Sequence, residues 1–310
     1  MAIACREVDV SLEVGRRIAV IGAPSSAGAY APGQELAPAA LRDADLIQSL
    51  QRYGREIEDR GDLPSFRWRV DHDSPRARNP GAVVAMIEAV RDEASAALAA
   101  GAAVLVLGGD CTTGLGSIAA MATIGGANTG LVYLDLHADM NVPSSVTDGA
   151  LDWMGLGHAL DLPGALPAVA RTCRLTREQV VLCGYSDQHA TQYEREHIAR
   201  LGLSTVTAKQ IVADPTAAAR AALAALGDRR SLAVHFDVDL VDFGEVPLSE
   251  HTAANQGIGL APALSALGEL LIDPRVRIVT VTEHNPLHGA SDGSDTRRLA
   301  DALAAACAAL

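Results

Sequence analysis

TGLVYLDLHAD (129–139) begins as an apolar run and ends with Asp135, His137 and Asp139 at every second position. A short, nearly continuous stretch of Val, Leu and Tyr suits a parallel strand covered on both faces. Five further stretches have the same character: RRIAVIGAP (16–24), AAVLVLGGD (102–110), EQVVLCGYS (178–186), SLAVHFDVD (231–239) and VRIVTVTEHNP (276–286). Between them lie Ala-rich runs with helical spacing. NPGAVVAMIEAVRDEASAALAAG (79–101) closes on Gly101 as a C-terminal stop, and DPTAAARAALAALG (214–227) opens on Asp214 with Pro215 in its first turn. SDTRRLADALAAACAAL (294–310) takes Ser294 as its N-cap. Strand–helix–strand repetition with right-handed crossovers predicts an α/β fold. One mainly parallel sheet lies between two helical layers. No linker, repeat or low-complexity tract interrupts the chain, so residues 1–310 read as a single three-layer α/β/α domain.

Composition narrows the function. The chain has 310 residues, 49% hydrophobic but only 3% aromatic, so the core must be built from Ala, Val, Leu and Ile. The net charge is −13. A nucleic-acid groove needs clustered Lys and Arg, and none is visible. No stretch reaches the roughly 18–20 apolar residues of a membrane span. MAIACREVDVSLEVGRR at the start is charged throughout, unlike a signal peptide. Cys5, Cys111, Cys173, Cys183 and Cys307 are scattered and odd in number, which argues against a disulfide framework and for a reducing cytoplasm.

Ligand sites of open α/β sheets lie beyond the carboxyl ends of the strands. The acidic residues sit there. On a strand, Asp135 and His137 point the same way. Converging buried carboxylates repel and are poorly solvated unless a cation joins them. HFDVDLVD repeats the pattern with Asp237 and Asp239. Either cluster alone has a second reading as an acidic turn, but two on strands of one sheet point to a divalent ion. Oxygen and imidazole donors favour Mn²⁺ or a similar ion over structural zinc. GGDC (108–111) is either a glycine turn with a buried thiol or a third ligand position at Cys111. Asp110 beside it suits a turn-stabilising role. Glu283 ends the last strand, in TEHNP (282–286).

In this order, GAP, GGDC, DxHxD, FDxDxxD and ExNP resemble the arginase/agmatinase/formimidoylglutamase (ureohydrolase) family. The similarity runs from GAPSSAG (22–28) to GASDGSDTRRLADAL (289–303). The resemblance implies an arginase-like fold, two Mn²⁺ ions and a metal-bridging hydroxide that hydrolyses a C–N bond of a guanidino compound, releasing urea. It implies that Asp135 and Asp237 bridge both ions, that His137 and Asp239 complete one shell, and that Asp139 and residue 111 complete the other. Asp139 also helps move the proton, and Glu283 pairs with the guanidinium. Family members are commonly trimers or hexamers. The family usually carries His where this chain has Cys111. A thiolate there favours Zn²⁺, Fe²⁺ or Co²⁺; a neutral thiol leaves one ion weakly held or absent. Both readings stay open.

Other departures concern the substrate. The resemblance makes Asn141, Asp148 and His189 substrate-binding positions. Asp148, Ala150 and Asp152 stand where arginase-like members have Ser, Asn and His. Asp152 is a proton carrier if burial raises its pKa, or a binder of a cationic substrate end. His158 is out of register and reads as structural, and Asp187 as a loop residue. Glu245, Glu250, His251 and Asn255 in LVDFGEVPLSEHTAANQGIG (240–259) are candidates for specificity. The expected substrate is a guanidino or amidine compound other than L-arginine. Two alternatives remain: hydrolysis of a formimino or N-hydroxyguanidino substrate, and a paralogue that has lost one metal and binds a ligand.

Overall fold

A computed structural model describes residues 17–310. Arg16, Cys5 and the charged opening stretch, with the reading that it is no signal peptide, lie outside the described residues. Eight strands form one sheet: β1 Arg17–Gly22, β2 Glu56–Asp62, β3 Ala103–Leu107, β4 Thr129–Leu134, β5 Val180–Tyr185, β6 Ser204–Thr207, β7 Ser231–Asp237 and β8 Val276–Thr282. Their order is β2-β1-β3-β8-β7-β4-β5-β6, and every pairing is parallel.

The helices are α1 Ala37–Asp43, α2 Leu46–Arg52, α3 Pro80–Ala99, α4 Thr113–Gly125, α5 Gly155–Ala159, α6 Pro167–Ala170, α7 Gln192–Leu201, α8 Ala208–Ala213, α9 Pro215–Ala225, α10 Leu260–Leu271 and α11 Ser294–Cys307. Alternation along each strand splits the core into two. Val132, Leu134, Val234 and Phe236 face α1, α2 and α8 to α11. Leu131, Tyr133, Ala233 and Ile278 face α3 to α7. The chain is therefore a single α/β domain of three layers. Each Val, Leu or Phe buried this way stabilises the fold by about 1.5–3 kcal/mol relative to exposure.

All six predicted strands are present. The two extra strands are the sheet edges. β2 reads EIEDRGD, with no apolar run, because only one side pairs and its faces are half exposed. Arg42 of α1 holds it through Asp59 at 2.9 Å and Asp62 at 2.5 Å. β6 is only four residues, STVT, at the other edge. Among the predicted helix ends, Asp214 caps α9 by accepting from the Ala217 N–H at 2.9 Å. Gly101 follows the end of α3 in the left-handed conformation, φ 84°. The expected Ser294 cap is corrected: Gly293 is the cap, and Ser294 begins α11 with its N–H donated to Asp292 Oδ1 at 2.9 Å. Asp292 captures that N–H from outside the helix, in a short turn of its own.

The strand order decides where chemistry can occur. β3, β8, β7 and β4 are the four central neighbours. They carry Cys111, Glu283, Asp237 and Asp135 at their carboxyl ends. Leu134 registers with Phe236, and Asp237 with Thr282. Asp135 therefore leaves the sheet beside Asp237.

Candidate metal centre

β4 and β7 end in the same local turn. The His137 N–H donates to Asp135 Oδ1 at 2.7 Å, and the Asp239 N–H to Asp237 Oδ1 at 2.7 Å. Each aspartate thus folds the chain two residues on and swings the next donor over the sheet end. His137 Nδ1 then lies 2.9 Å from Asp239 Oδ2. Among the described residues, Asp135 Oδ2 and Asp239 Oδ1 are buried with no hydrogen-bond partner. Orphaned carboxylate oxygens are costly in a protein interior, and a divalent ion is the partner their chemistry fits. Asp139 adopts φ 49° and accepts from the Tyr133 hydroxyl. Glu283 adopts φ 62°. Left-handed backbone at a non-glycine residue costs about 1–3 kcal/mol and collects at functional sites.

The GGDC turn is built by close approach. A Cβ on Gly109 would stand 1.8 Å from the Ser25 carbonyl oxygen, so only glycine fits. The Asp110 carboxylate accepts from the Gly28 and Thr112 N–H groups, both at 3.0 Å, and from the Thr112 hydroxyl. Asp110 therefore holds the turn, and its charge is felt by Glu283 and Asp152. The Cys111 Sγ lies 2.8 Å from Asp237 Oδ2, 3.4 Å from His235 Nε2 and 3.4 Å from Thr282 Oγ1. Its N–H donates to Glu283 Oε1 at 2.8 Å, while Gln34 Nε2 donates to Glu283 Oε2 at 3.2 Å.

Two donor sets result. One joins Asp135, His137 and Asp239; the other joins Cys111, Asp135, His235 and Asp237. Within each set, one ligand atom per residue lies within 4.8 Å of all the others. Asp135 is common to both. Asp139 stands outside either set, with one oxygen engaged by Tyr133.

Electrostatics describe a site in need of positive charge. Burial, then the neighbouring Asp239, raises Asp135 to about 7 and holds Asp237 well above the carboxylate range. Burial, then Asp135, does the same to Asp139. Glu283 is raised by burial and then by Asp110, and Asp152 by burial and then by Glu283. Asp239 is the exception: burial pushes it up, but His137 beside it outweighs that and lowers it. His137 mirrors this, its burial overcome by Asp239 and Asp135, which raise it well above 6.5.

Above the acids opens a cavity of about 280 Å³. Glu283, Asp139, Asp148, Asp152, His189, Glu250 and His251 reach it, with Tyr30 and Trp153 as aromatic walls. No Lys or Arg lines it among the described residues. Asp148 is braced by the Ala150 N–H at 2.9 Å and by Trp153 Nε1 at 3.3 Å. Asn141 is not brought to the cavity. It is fully buried, and its Oδ1 accepts from Ser145 Oγ at 3.0 Å and Thr191 Oγ1 at 2.9 Å. Glu245 turns away to Arg298 and the Leu260 N–H, and Asn255 is exposed. Asp187 accepts from the Tyr185 hydroxyl at 3.2 Å, outside the cavity. His158 is buried against the Met154 carbonyl, in keeping with a structural role. Sequence reasoning passed over His235, Tyr133, Tyr30 and Trp153. His235 carried a signal, since it precedes Asp237 by two residues on the same strand face.

The sequence model of the arginase family matches residues 16–309. The arginase of Brevibacillus brevis is 31% identical over 208 residues, covering 64% of this chain and 66% of that protein. Human Arginase-1 is 34% identical over 157 residues, 50% of this chain and 48% of its own. The chain thus spans just under two thirds of the first relative's length and about half of the second's. The Entamoeba histolytica arginase solved in complex with L-ornithine superposes with a TM-score of 0.83, covering 93% of this chain and 98% of that one; at 21% identity it speaks for the fold. The match spans nearly the whole chain, and the chain belongs to the arginase family.

Proposed function

We propose that this protein is a metal-dependent hydrolase that cleaves a C–N bond of a guanidino compound, an amidinohydrolase releasing urea. The observation that carries the reading is the pair of donor sets sharing Asp135 beneath a cavity that Glu283 also enters. Asp135, His137 and Asp239 offer oxygen and imidazole donors suited to Mn²⁺, with Asp237 and Cys111 serving a second ion. Divalent ions there would supply Lewis acidity and lower the pKa of a water toward neutrality.

The chain's own groups do the rest. Glu283 has spare lone pairs beyond its bonds to the Cys111 N–H and Gln34, so it can accept a planar guanidinium and orient it. Asp139, aimed by Tyr133, stands ready to hold a proton on its remaining oxygen. Asp152, buried and raised, either carries that proton outward or anchors a cationic substrate end. Asp148, Asp152 and Glu250, with no Lys or Arg in the lining among the described residues, favour a substrate whose far end is neutral or cationic. The scattered, odd cysteines extend the reading to the cytoplasm, and the family resemblance extends it to a homo-oligomer, a trimer or hexamer.

The test is metal analysis of protein purified without chelator, followed by a panel of guanidino, formimino and hydroxyguanidino compounds. Urea release with Mn²⁺ supports the proposal. Formamide or hydroxyurea instead would shift the substrate class. Less than about half an equivalent of metal per chain, with no rescue by Mn²⁺, would leave a ligand-binding paralogue.

A further inference from the structure

Cys111 stands where family resemblance places an imidazole, and an imidazole is nevertheless close by. His235 lies in the apolar run of β7, two residues before Asp237 and on the same face. Its Nε2 is 3.4 Å from Cys111 Sγ, and both residues belong to the donor set completed by Asp135 and Asp237. We propose that His235 supplies the imidazole for the ion held by Cys111, Asp135 and Asp237, making this a sulfur–nitrogen–carboxylate position for a borderline ion such as Zn²⁺, Fe²⁺ or Co²⁺ rather than Mn²⁺. The inference rests on the metal-dependent reading above and adds a ligand to it.

The distances agree with this. Bond lengths of about 2.3 Å to sulfur and about 2.0–2.1 Å to imidazole, at a tetrahedral angle, separate S and N by about 3.6 Å. The observed 3.4 Å lies close to that span. The shorter 2.8 Å contact of Cys111 Sγ with Asp237 is a thiol hydrogen bond, and it opens when a metal takes the thiol proton's place. Asp135 Oδ2, in the same cluster, is buried and has no partner among the described residues.

The ring also has a built seat. It stacks on Tyr133 with centroids 4.2 Å apart and planes 4° from parallel. Its Nδ1 edge faces Gly114, where a Cβ would come within 2.3 Å. Among the described residues Nδ1 makes no hydrogen bond, and the ring's polar contacts there are at Nε2, toward Cys111 and toward Thr282 Oγ1 at 3.1 Å. A donor ring is thus held at the floor of the centre, one pleat below Asp135 and Asp237. Thiolate with imidazole is a softer pair than carboxylate with imidazole, which sets the metal preference.

The experiment uses the full chain, stripped of metal, as wild type, His235→Gln and Cys111→Ser. Each is titrated with Co²⁺ by calorimetry and by the thiolate-to-cobalt absorption band. Wild type is expected to bind two ions, one of them with the band. Cys111→Ser loses the band. His235→Gln keeps it but weakens that ion by at least about tenfold, since even outer-shell partners cost 10–100-fold. The ion at His137 and Asp239 stays unchanged, reporting a folded chain. Unchanged affinity for both ions in His235→Gln would overturn the inference. Zinc-edge X-ray absorption of wild type carrying one equivalent decides the matter even if that variant does not fold. One sulfur plus one imidazole supports the proposal, and one sulfur without an imidazole overturns it. A wild-type chain that binds no ion would instead bring down the hydrolase reading itself.

Discussion

The two donor sets are built from the same strands at different depths. The upper set, Asp135, His137 and Asp239, stands on the turns that leave β4 and β7 and opens to the cavity; the His137 side chain keeps 23% exposure. The lower set, Cys111, Asp135, His235 and Asp237, is buried between β3, β7 and β4, with Cys111 and Asp237 at the floor of the cavity. The upper set is oxygen and nitrogen, the lower includes sulfur. The contrast teaches that a strand end offers two levels: the turn residues, which motifs mark, and the last inward-facing pleat, which only neighbouring strands bring together.

Asp135 is the hinge of this comparison. Asp135→Asn is expected to cost both ions and lower activity by at least about 100-fold, the upper end of what outer-shell changes cost. Metal counting checks it; retention of one ion at wild-type affinity would show that the two levels do not share this carboxylate. Glu283→Gln comes next. Losing a charged acceptor, worth about 1.5–3 kcal/mol, should lower kcat/KM by about 10–150-fold while metal content stays at the wild-type value. A fall in metal content would move Glu283 from the substrate side into the metal floor.

Stability against pH reads the same carboxylates. Burial and Asp239 raise Asp135 from 3.8 to about 7, and Asp139 and Asp237 are raised in the same direction. A raised folded pKa contributes stability that is fully present below the unfolded value and is lost as pH rises through the folded one. The stripped chain should therefore lose stability from about pH 4 to about pH 7, and added Mn²⁺, which binds the ionised form, should raise Tm more at about pH 7.5 than at about pH 5. Equal shifts at both would contradict this account. The smallest effect is expected for Tyr133→Phe. It removes the hydroxyl on Asp139 and leaves the ring under His235, so it should cost about 1 kcal/mol in a denaturant melt and slow turnover only a few-fold. An effect as large as that of Asp135→Asn would place the hydroxyl in the chemistry.

Particular residues show where the sequence could be read. TGLVYL and SLAVHF are central strands buried on both faces, so their apolar runs are unmistakable. EIEDRGD and STVT are edge strands, and their polar composition carries no such signal. Asp148, Asp152 and His189 were expected near the substrate, and the fold turns them toward the cavity. Asn141 was expected there too, but it packs behind the wall, because its amide oxygen is bound by Ser145 in its own loop and by Thr191 fifty positions away. His235 looked like a core residue inside an apolar run. Its meaning depends on a thiol 124 positions away.

The sequence by itself determined the alternation of strands and helices, the placing of acids at strand ends, and the family. Those follow from local periodicity and from spacing within a few residues. Only the tertiary structure decided that β4 lies against β7 and β3 against β8, and hence that Asp135 serves two donor sets, that Cys111 meets His235, and that Glu283 lines the same cavity. Strand order across a sheet is set by crossovers and by packing of the two helical layers, and no short stretch of chain encodes it.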